Sequence, residues 1–302
     1  MSILAITGAT GFVGSAALDR AFAKGHTVRA LTRRTQPPRE GVTWVNGTLE
    51  ETGALARLCE GAEAVIHIAG LTNTPEPAEF ETANVTGTAS MIAAATATGA
   101  RRFVFVSSLS AREPDLSAYG ASKARAEKLV EASGLDWTIV RPPAVYGPRD
   151  ADMFELFRAA RLGLVPLPPS GATSIIHSDD LAALLVALAE TGGTKAIYEP
   201  DDGREGGWSH KELAQAIGRA VGRNSVFAPH LPRGVLDIAA RADRLLRGDK
   251  AKLTADRVGY MAHPNWVARF DRAVPAAIWQ PTISGEDGLR RTAQWYLELG
   301  WL

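Results

Sequence analysis

The sequence lacks several features that would assign it to a specialised class of protein. It contains one cysteine, Cys59, which excludes an internal disulfide framework and fits a reducing compartment. Its 33 basic residues equal its 33 acidic residues, so no overall positive field is available to hold nucleic acid. No cluster of His, Cys, Asp or Glu has the spacing of metal ligands, and we expect no metal site.

Long apolar runs are also missing. Nowhere do about 18 consecutive apolar residues occur, so no transmembrane helix is predicted. Residues 2–7 are apolar, but they lead directly into a glycine-rich turn without the pattern of a secretory signal. We therefore expect a cytoplasmic protein, and we leave open a peripheral contact with the inner membrane.

What the sequence does contain is an alternation of short apolar runs and helical patterns over its first half. Such alternation predicts an α/β fold, a doubly wound parallel sheet with helices on both faces. The predicted strands are 3–8, 27–32, 42–47, 64–69, 103–107 and 137–141. The predicted helices between them are 13–24, 55–60, 79–98 and 119–133.

The second half is richer in proline, and strands become sparse. Helices are predicted at 179–190, 210–221, 234–246, 254–261 and 286–299. We expect residues 1–150 to form the sheet domain, with part of 174–203 returning to it. Most of residues 151–302 would form a small, mostly helical cap that binds substrate.

A glycine-rich turn follows the first predicted strand and opens the first helix. Gly8, Gly11 and Gly14 have the spacing G-x-x-G-x-x-G. Glycines allow the backbone to approach a pyrophosphate, and the helix N-terminus presents amide donors to it. The context predicts a Rossmann-type dinucleotide site that also includes Thr10, Phe12 and Val13.

The end of the second strand indicates which dinucleotide binds. NAD sites usually place an acidic residue there to hold the ribose 2′-hydroxyl. This chain has Thr32, Arg33 and Arg34 instead. Because guanidinium groups match the geometry of a phosphate, the pattern favours NADP(H) and makes residues 1–150 its binding domain.

A candidate catalytic set follows the fifth strand. Tyr119 and Lys123 are four residues apart and share one face of a helix. A nearby ammonium stabilises a phenolate and brings the pKa of the phenol toward the working range. Ser108, at the end of a strand, is placed to donate a hydrogen bond to a carbonyl oxygen.

Ser108, Tyr119 and Lys123 resemble the Ser–Tyr–x-x-x–Lys signature of the short-chain dehydrogenases/reductases. Further segments resemble the extended branch of that family, including the atypical members related to ketone reductases and to a complex I accessory subunit. These segments include Asn84-Val-Thr-Gly-Thr and Arg141-Pro-Pro-Ala-Val-Tyr-Gly-Pro. The resemblance implies that Tyr119 and Lys123 also contact the cofactor. It adds as cofactor-binding residues Ala69, Gly70, Asn84, Pro142, Pro143 and Val145.

Two departures from the family pattern bear on the substrate. Gly47-Thr48-Leu49 stands where extended members commonly carry Gly-Asp-Leu, so one adenine contact is lost. Ser108 and Tyr119 are only 11 positions apart, without the Val-Tyr-Gly segment usual in members that act on sugar nucleotides. The catalytic signature favours an NADPH-dependent carbonyl reductase, and so do the many apolar and aromatic residues of the cap, such as Phe154, Phe157 and Trp208. The expected substrate is a hydrophobic ketone such as a 3-keto sphingolipid.

Two alternatives stay open at this stage, a sugar-nucleotide epimerase or dehydratase and a non-catalytic NADP(H)-binding subunit. The oligomeric state is also open between a monomer and a homodimer. Residues 233–252 combine a helical apolar stripe with an excess of basic residues. That pattern is typical of a helix on an anionic membrane surface and equally of an ordinary cap helix packed on the core.

Overall fold

A computed structural model describes residues 2–191 and 195–302. Its described residues form a seven-stranded parallel sheet with the order β10-β6-β5-β4-β1-β2-β3, a three-stranded sheet β11-β8-β12 and a two-stranded ladder β7-β9. The strands are β1 (Ile3–Thr7), β2 (Thr27–Thr32), β3 (Val42–Asn46), β4 (Ala64–His67), β5 (Arg102–Val106), β6 (Asp136–Val140), β7 (Ala144–Tyr146), β8 (Ala172–Thr173), β9 (Ile175–His177), β10 (Ala196–Tyr198), β11 (Trp208–Ser209) and β12 (Asn265–Trp266).

Helices cover both faces of the large sheet. They are α1 (Phe12–Ala23), α2 (Thr52–Cys59), α3 (Ala78–Phe80), α4 (Gly87–Thr98), α5 (Ala118–Ala132), α6 (Phe154–Leu162), α7 (Ser178–Glu190), α8 (His210–Ala220), α9 (Arg233–Arg247), α10 (Ala255–Met261) and α11 (Gly285–Glu298). One face packs against α1 and α7, and the other packs against α2, α4 and α5. Strands covered on both faces are apolar almost throughout, as β4 and β5 are. The predicted fold class is confirmed.

All six predicted strands form, each within a residue or two of its predicted bounds. The elements that were not predicted include the edge strand β10, the helix α6 and the short strands of the second half, β7, β8, β9, β11 and β12. Three residues are too few to show an alternating pattern, and the nine residues of α6 repeat their apolar spacing barely twice. The predicted helix 79–98 is also wrong as a continuous α-helix, because a π-helical turn, Glu81–Thr86, separates α3 from α4.

The second half is less purely helical than predicted. The small sheet β11-β8-β12 and the ladder β7-β9 lie among α6, α8 and α11. Their shared core contains large aromatic side chains, notably Tyr146, Phe157, Trp208 and Tyr296. Within the described part of the chain, no helix is both long and apolar enough to cross a membrane.

The turn between β1 and α1 depends on close backbone contact. A Cβ on Gly14 would overlap the carbonyl oxygen of Gly8, and that oxygen already accepts a hydrogen bond from the Gly11 amide at 2.9 Å. Glycine at position 14 therefore lets the first turn of α1 lie directly on the end of β1.

Gly14→Ala is expected to lower the free energy of unfolding by about 2 kcal/mol, the usual cost of forcing an extra carbon into a packed interior. Gly53→Ala is the matched control, because the new Cβ would lie 3.7 Å from the Arg57 side chain in ordinary contact. That variant should gain roughly 0.5–1 kcal/mol from helix propensity. Denaturant unfolding of both measures the difference, and equal effects would refute the packing argument.

Candidate active site

The side chain of Thr7 connects the carboxyl ends of β1 and β4 through hydrogen bonds. Its buried hydroxyl oxygen accepts hydrogen bonds from the amides of Ile68 and Ala69, both at 3.1 Å, and lies 2.7 Å from Nδ1 of His67. A Cβ on Gly8 would lie 2.8 Å from the Ala69 nitrogen. The glycine turn and the predicted Ala69-Gly70 segment therefore lie side by side, as a ligand crossing this edge of the sheet requires.

A cavity of about 360 Å³ opens beside the glycine turn. Its lining includes the predicted residues Thr10, Gly11 and Phe12. Gln36, Arg39, Trp44 and Arg149 also line it, and none of these was predicted. Both arginines approach Asp19 of α1, Arg39 at 2.7 Å and Arg149 at 3.4 Å.

The predicted arginines at the end of β2 occupy a different position. Arg33 and Arg34 are exposed beyond β2 and, among the described residues, are not part of the lining of this cavity. The Thr32 hydroxyl holds the loop in place by accepting a hydrogen bond from the Arg34 amide at 3.2 Å. Both arginine side chains are therefore open to solvent.

Ser108 and Tyr119 come together through two separate turns. Ser108 follows β5, and its hydroxyl oxygen accepts a hydrogen bond from the Ser110 amide at 3.1 Å. Tyr119 lies in the first turn of α5, where Asp256 of α10 accepts a hydrogen bond from the Ala118 amide at 2.5 Å. The Ser108 side chain lies beside the Tyr119 phenol, close enough to lower the pKa of that phenol.

The surroundings of Tyr119 keep its phenol protonated. Burial raises its pKa well above the ordinary value, the neighbouring Ser108 hydroxyl lowers it, and the phenol of Tyr260 raises it further. The Tyr119 ring lies between two aromatic rings, with centroid distances of 5.7 Å to Phe80 and 6.0 Å to Tyr260. Tyr260 belongs to α10, so the second half of the chain closes over this tyrosine.

Lys123 is buried one turn farther along α5. Its ammonium donates a hydrogen bond to the Val106 carbonyl at 3.0 Å and lies 5.1 Å from the ring centroid of Phe105. Burial lowers its pKa to about 8, with the carboxylate of Glu127 acting in the opposite direction. The side chain is therefore a cation at neutral pH that loses its proton far more easily than an exposed lysine.

Asn84 joins this group from the π-helical turn. Its side chain accepts a hydrogen bond from the Leu71 amide at 2.7 Å and donates to the Ser122 hydroxyl at 2.9 Å. A Cβ on Gly70 would lie 2.8 Å from Asn84 Oδ1 and 3.2 Å from Lys123 Nζ. Gly70, Asn84 and Lys123, which are far apart in the sequence, thus meet at one point.

An ion pair between Glu127 and Arg141, which was not predicted, lies next to Lys123. Both oxygens of Glu127 accept hydrogen bonds from the guanidinium of Arg141, at 2.8 and 2.6 Å. Glu127 also accepts a hydrogen bond from the Ser107 hydroxyl at 2.5 Å. A usable signal was present, because Glu127 lies four residues after Lys123 and hence on the same helix face.

The loop after β6 carries the remaining predicted residues. The Pro142 carbonyl accepts a hydrogen bond from the Leu109 amide at 3.1 Å, which places Pro142 next to the segment of Ser108. Val145 belongs to β7, pairs with Ile176 and packs on the core that also contacts Val13. Pro143, between them, is half-buried.

The buried groups and the glycine cradle fit a dinucleotide. Three glycines leave room for a pyrophosphate at the start of α1, and Lys123 brings a cation to the same edge of the sheet. His67 is packed in the core between Thr7 and Thr88, and burial lowers its pKa to about 3. It is therefore neutral and structural, and the proton-carrying group that faces Ser108 is Tyr119.

Comparison with known proteins agrees with this geometry. The model of the NAD dependent epimerase/dehydratase family matches residues 4–199. A ceramide reductase of Caulobacter vibrioides is 36% identical over 311 residues, covering 99% of this chain and 96% of that protein. A 2-alkyl-3-oxoalkanoate reductase of Stenotrophomonas maltophilia is 30% identical over 330 residues, covering 96% and 98%.

Solved structures show the same fold. The structure of MoeE5 in complex with UDP-glucose and NAD superposes with a TM-score of 0.75 at 22% identity, covering 99% of each chain. The family match spans the sheet with the glycine turn and the Ser–Tyr–Lys set, and the relatives named reductases span the whole chain. The chain belongs to the NAD-dependent epimerase/dehydratase family and is an NAD(P)-dependent oxidoreductase of the extended short-chain dehydrogenase/reductase type.

Proposed function

We propose that the chain is an NADPH-dependent ketone reductase whose substrate is a long-chain lipid ketone of the 3-keto sphingolipid or ceramide type. The observation that carries the proposal is the buried, protonated Tyr119 beside Ser108, with the Lys123 ammonium one helical turn away. The similarity to a ceramide reductase along 99% of the chain supports the substrate class.

The reaction needs a hydride, a proton and stabilisation of the oxygen that becomes negative. NADPH, when bound, would be the source of the hydride that the carbonyl carbon receives. Tyr119 gives its phenolic proton to the carbonyl oxygen, which yields the alcohol, and Ser108 donates a hydrogen bond to that oxygen. The Lys123 ammonium stabilises the phenolate left on Tyr119, which then recovers a proton from solvent.

The residues that would hold the cofactor follow from their placement. Gly8, Gly11 and Gly14 leave space for the pyrophosphate at the N-terminus of α1. Arg33 and Arg34, exposed after β2, would bind the 2′-phosphate that distinguishes NADPH from NADH. The group formed by Gly70, Asn84 and Lys123 would lie against the nicotinamide ribose.

Aromatic side chains around Tyr119 support a hydrophobic substrate. Phe80 and Tyr260 flank its ring, so the surroundings of the reacting phenol are largely aromatic carbon. A sugar carries several hydroxyl groups, each of which would lose hydrogen bonds to water beside such rings. A ketone flanked by alkyl chains has no such hydroxyl groups, so it loses no hydrogen bonds of this kind and buries apolar surface there.

Tyr119→Phe should lower kcat for NADPH-dependent reduction of a 3-keto sphingolipid by about 10²–10⁴-fold, because the proton donor is removed. Binding of NADPH, measured by fluorescence titration, should be unchanged. Tyr296→Phe is the matched control, since it removes a buried phenol that donates to the Asp150 carbonyl in the cap. Substantial turnover by Tyr119→Phe would show that Tyr119 is not the proton donor. If the wild-type enzyme converts UDP-glucose and does not reduce the 3-keto sphingolipid, the lipid substrate is excluded.

The pH dependence of reduction should reflect Lys123. Burial depresses its pKa to about 8, so the charged form needed beside Tyr119 is present below that pH and is lost as the pH rises through it. The value of kcat/KM for the ketone is expected to be level near neutrality and to fall about tenfold per pH unit above about 8. A rate that rises through this range would contradict the assignment, and Lys123→Met should abolish the profile along with the activity.

The double variant Arg33→Ser/Arg34→Ser should raise KM for NADPH by at least about tenfold, because charge-assisted bonds to the phosphate are lost. KM for NADH should stay the same. Arg39→Ser serves as the comparison, since Arg39 lines the nearby cavity but is paired with Asp19. If Arg39→Ser alone weakens NADPH binding, the 2′-phosphate binds at Arg39 and the role given to Arg33 and Arg34 is wrong.

A further inference from the structure

Helix α9 exposes an unusual amount of apolar surface. Of its fifteen residues, Leu236 and Ala240 are the buried ones. The exposed fractions are 67% for Ile238, 88% for Leu245 and 85% for Leu246. A contiguous exposed apolar surface of this kind usually marks a site of interaction.

The exposed apolar residues share one side of the helix. Val235, Ile238, Ala242 and Leu245 are spaced by three, four and three residues, and Leu246 adjoins them. We call these five residues the α9 stripe. The inward side of α9 is separate, since Leu236 and Ala240 pack with Val258 of α10. Packing within the chain therefore explains one apolar side of α9 and leaves the stripe uncovered.

The charges on α9 are mostly positive. Its sequence contains four arginines and two aspartates. Asp243 is directed inward, where it accepts hydrogen bonds from the amides of Lys252 and Leu253 at 2.8 and 2.9 Å. Arg233 and Arg241 are exposed and, within the part of the chain that the structure describes, have no ion-pair partner. Arg241 follows Ile238 by three residues and precedes Leu245 by four, so its charge lies beside the exposed apolar residues. That arrangement is complementary to anionic lipid headgroups over acyl chains.

Helix α9 also lies at the edge of the candidate active site. Arg244 donates a hydrogen bond to the Pro75 carbonyl at 3.1 Å and pairs with Glu76 at 2.8 Å. Those residues belong to the loop that follows Gly70. Helix α9 also packs on α10, which carries Tyr260 against Tyr119. A surface that binds to the stripe is therefore brought close to the place where substrate must enter.

We propose that the α9 stripe docks the protein on the surface of an anionic lipid bilayer. The stripe enters the headgroup region, Arg233 and Arg241 contact lipid phosphates, and the active site faces the membrane. A second copy of the chain is a poorer partner, because two α9 helices packed face to face would bring their arginines together. The docking itself depends only on the exposed surface of α9. Its purpose would be direct access to a ketone dissolved in the membrane, and that purpose rests on the proposed function.

The test is flotation of the full-length protein with vesicles, without cofactor or substrate. Wild type should float with vesicles of equal parts phosphatidylcholine and phosphatidylglycerol, and salt should weaken this binding. Pure phosphatidylcholine should bind far less. Ile238→Ser/Leu245→Ser/Leu246→Ser should lose binding at least about tenfold, and Arg233→Glu/Arg241→Glu should lose about fivefold or more per arginine. Phe270→Ser is the matched control, because Phe270 is 97% exposed and lies outside α9.

Three results would overturn the proposal. Wild type fails to float with the anionic vesicles, the triple serine variant floats as well as wild type, or the variant converts a wild-type dimer into a monomer. The last result would assign the stripe to a second copy of the chain. Thermal unfolding followed by circular dichroism should be alike in wild type and the triple variant, which shows that the variant is folded. Since flotation involves no turnover, docking and the lipid-ketone reaction succeed or fail independently.

Discussion

The buried ammonium of Lys123 is the charge on which the arrangement of the active site depends. A cation among apolar side chains loses its hydration and must be compensated by the protein. Here the Val106 carbonyl, the face of the Phe105 ring and the carboxylate of Glu127 provide the compensation. The missing side chain of Gly70 makes room for it, since a Cβ there would lie 3.2 Å from the ammonium nitrogen. The compensation is incomplete, which is why its pKa is depressed.

The same charge links the sheet to the second half of the chain. Glu127, which faces Lys123, is held by Arg141 at the end of β6, and Arg141 also approaches Glu199 after β10 at 3.6 Å. Glu199 is fully buried and accepts a hydrogen bond from the Arg269 amide at 3.0 Å. Removing one member of such a buried network leaves its partners uncompensated. The position of the lysine and the docking of the segment around Arg269 are therefore parts of one electrostatic unit.

The parts of the site that could be predicted lie within short stretches of sequence. The glycine turn is a local motif, and Tyr119 and Lys123 are one helical turn apart, so both could be recognised without knowing the fold. Tyr260 and Arg39 reach the site through contacts across the fold, and no local pattern identifies them. The π-helical turn was missed because Asn84 bonds to Leu71 and Ser122, and these partners are fixed only by tertiary structure.

The position of α9 relates the two proposals, a closed catalytic centre that acts on a lipid ketone and a surface that docks on a bilayer. Tyr119 is buried under Tyr260, so the proposed long-chain ketone would have to reach it without exposing its alkyl chain to water. Because α9 contacts both the loop after Gly70 and α10, a bilayer against the stripe would lie close to this centre. The alkyl chain of the substrate would then pass from the acyl chains of the bilayer to the aromatic side chains around Tyr119 with little apolar surface exposed to water. An entrance open to bulk water would give no such advantage, so the exposed stripe and the buried tyrosine are best understood together.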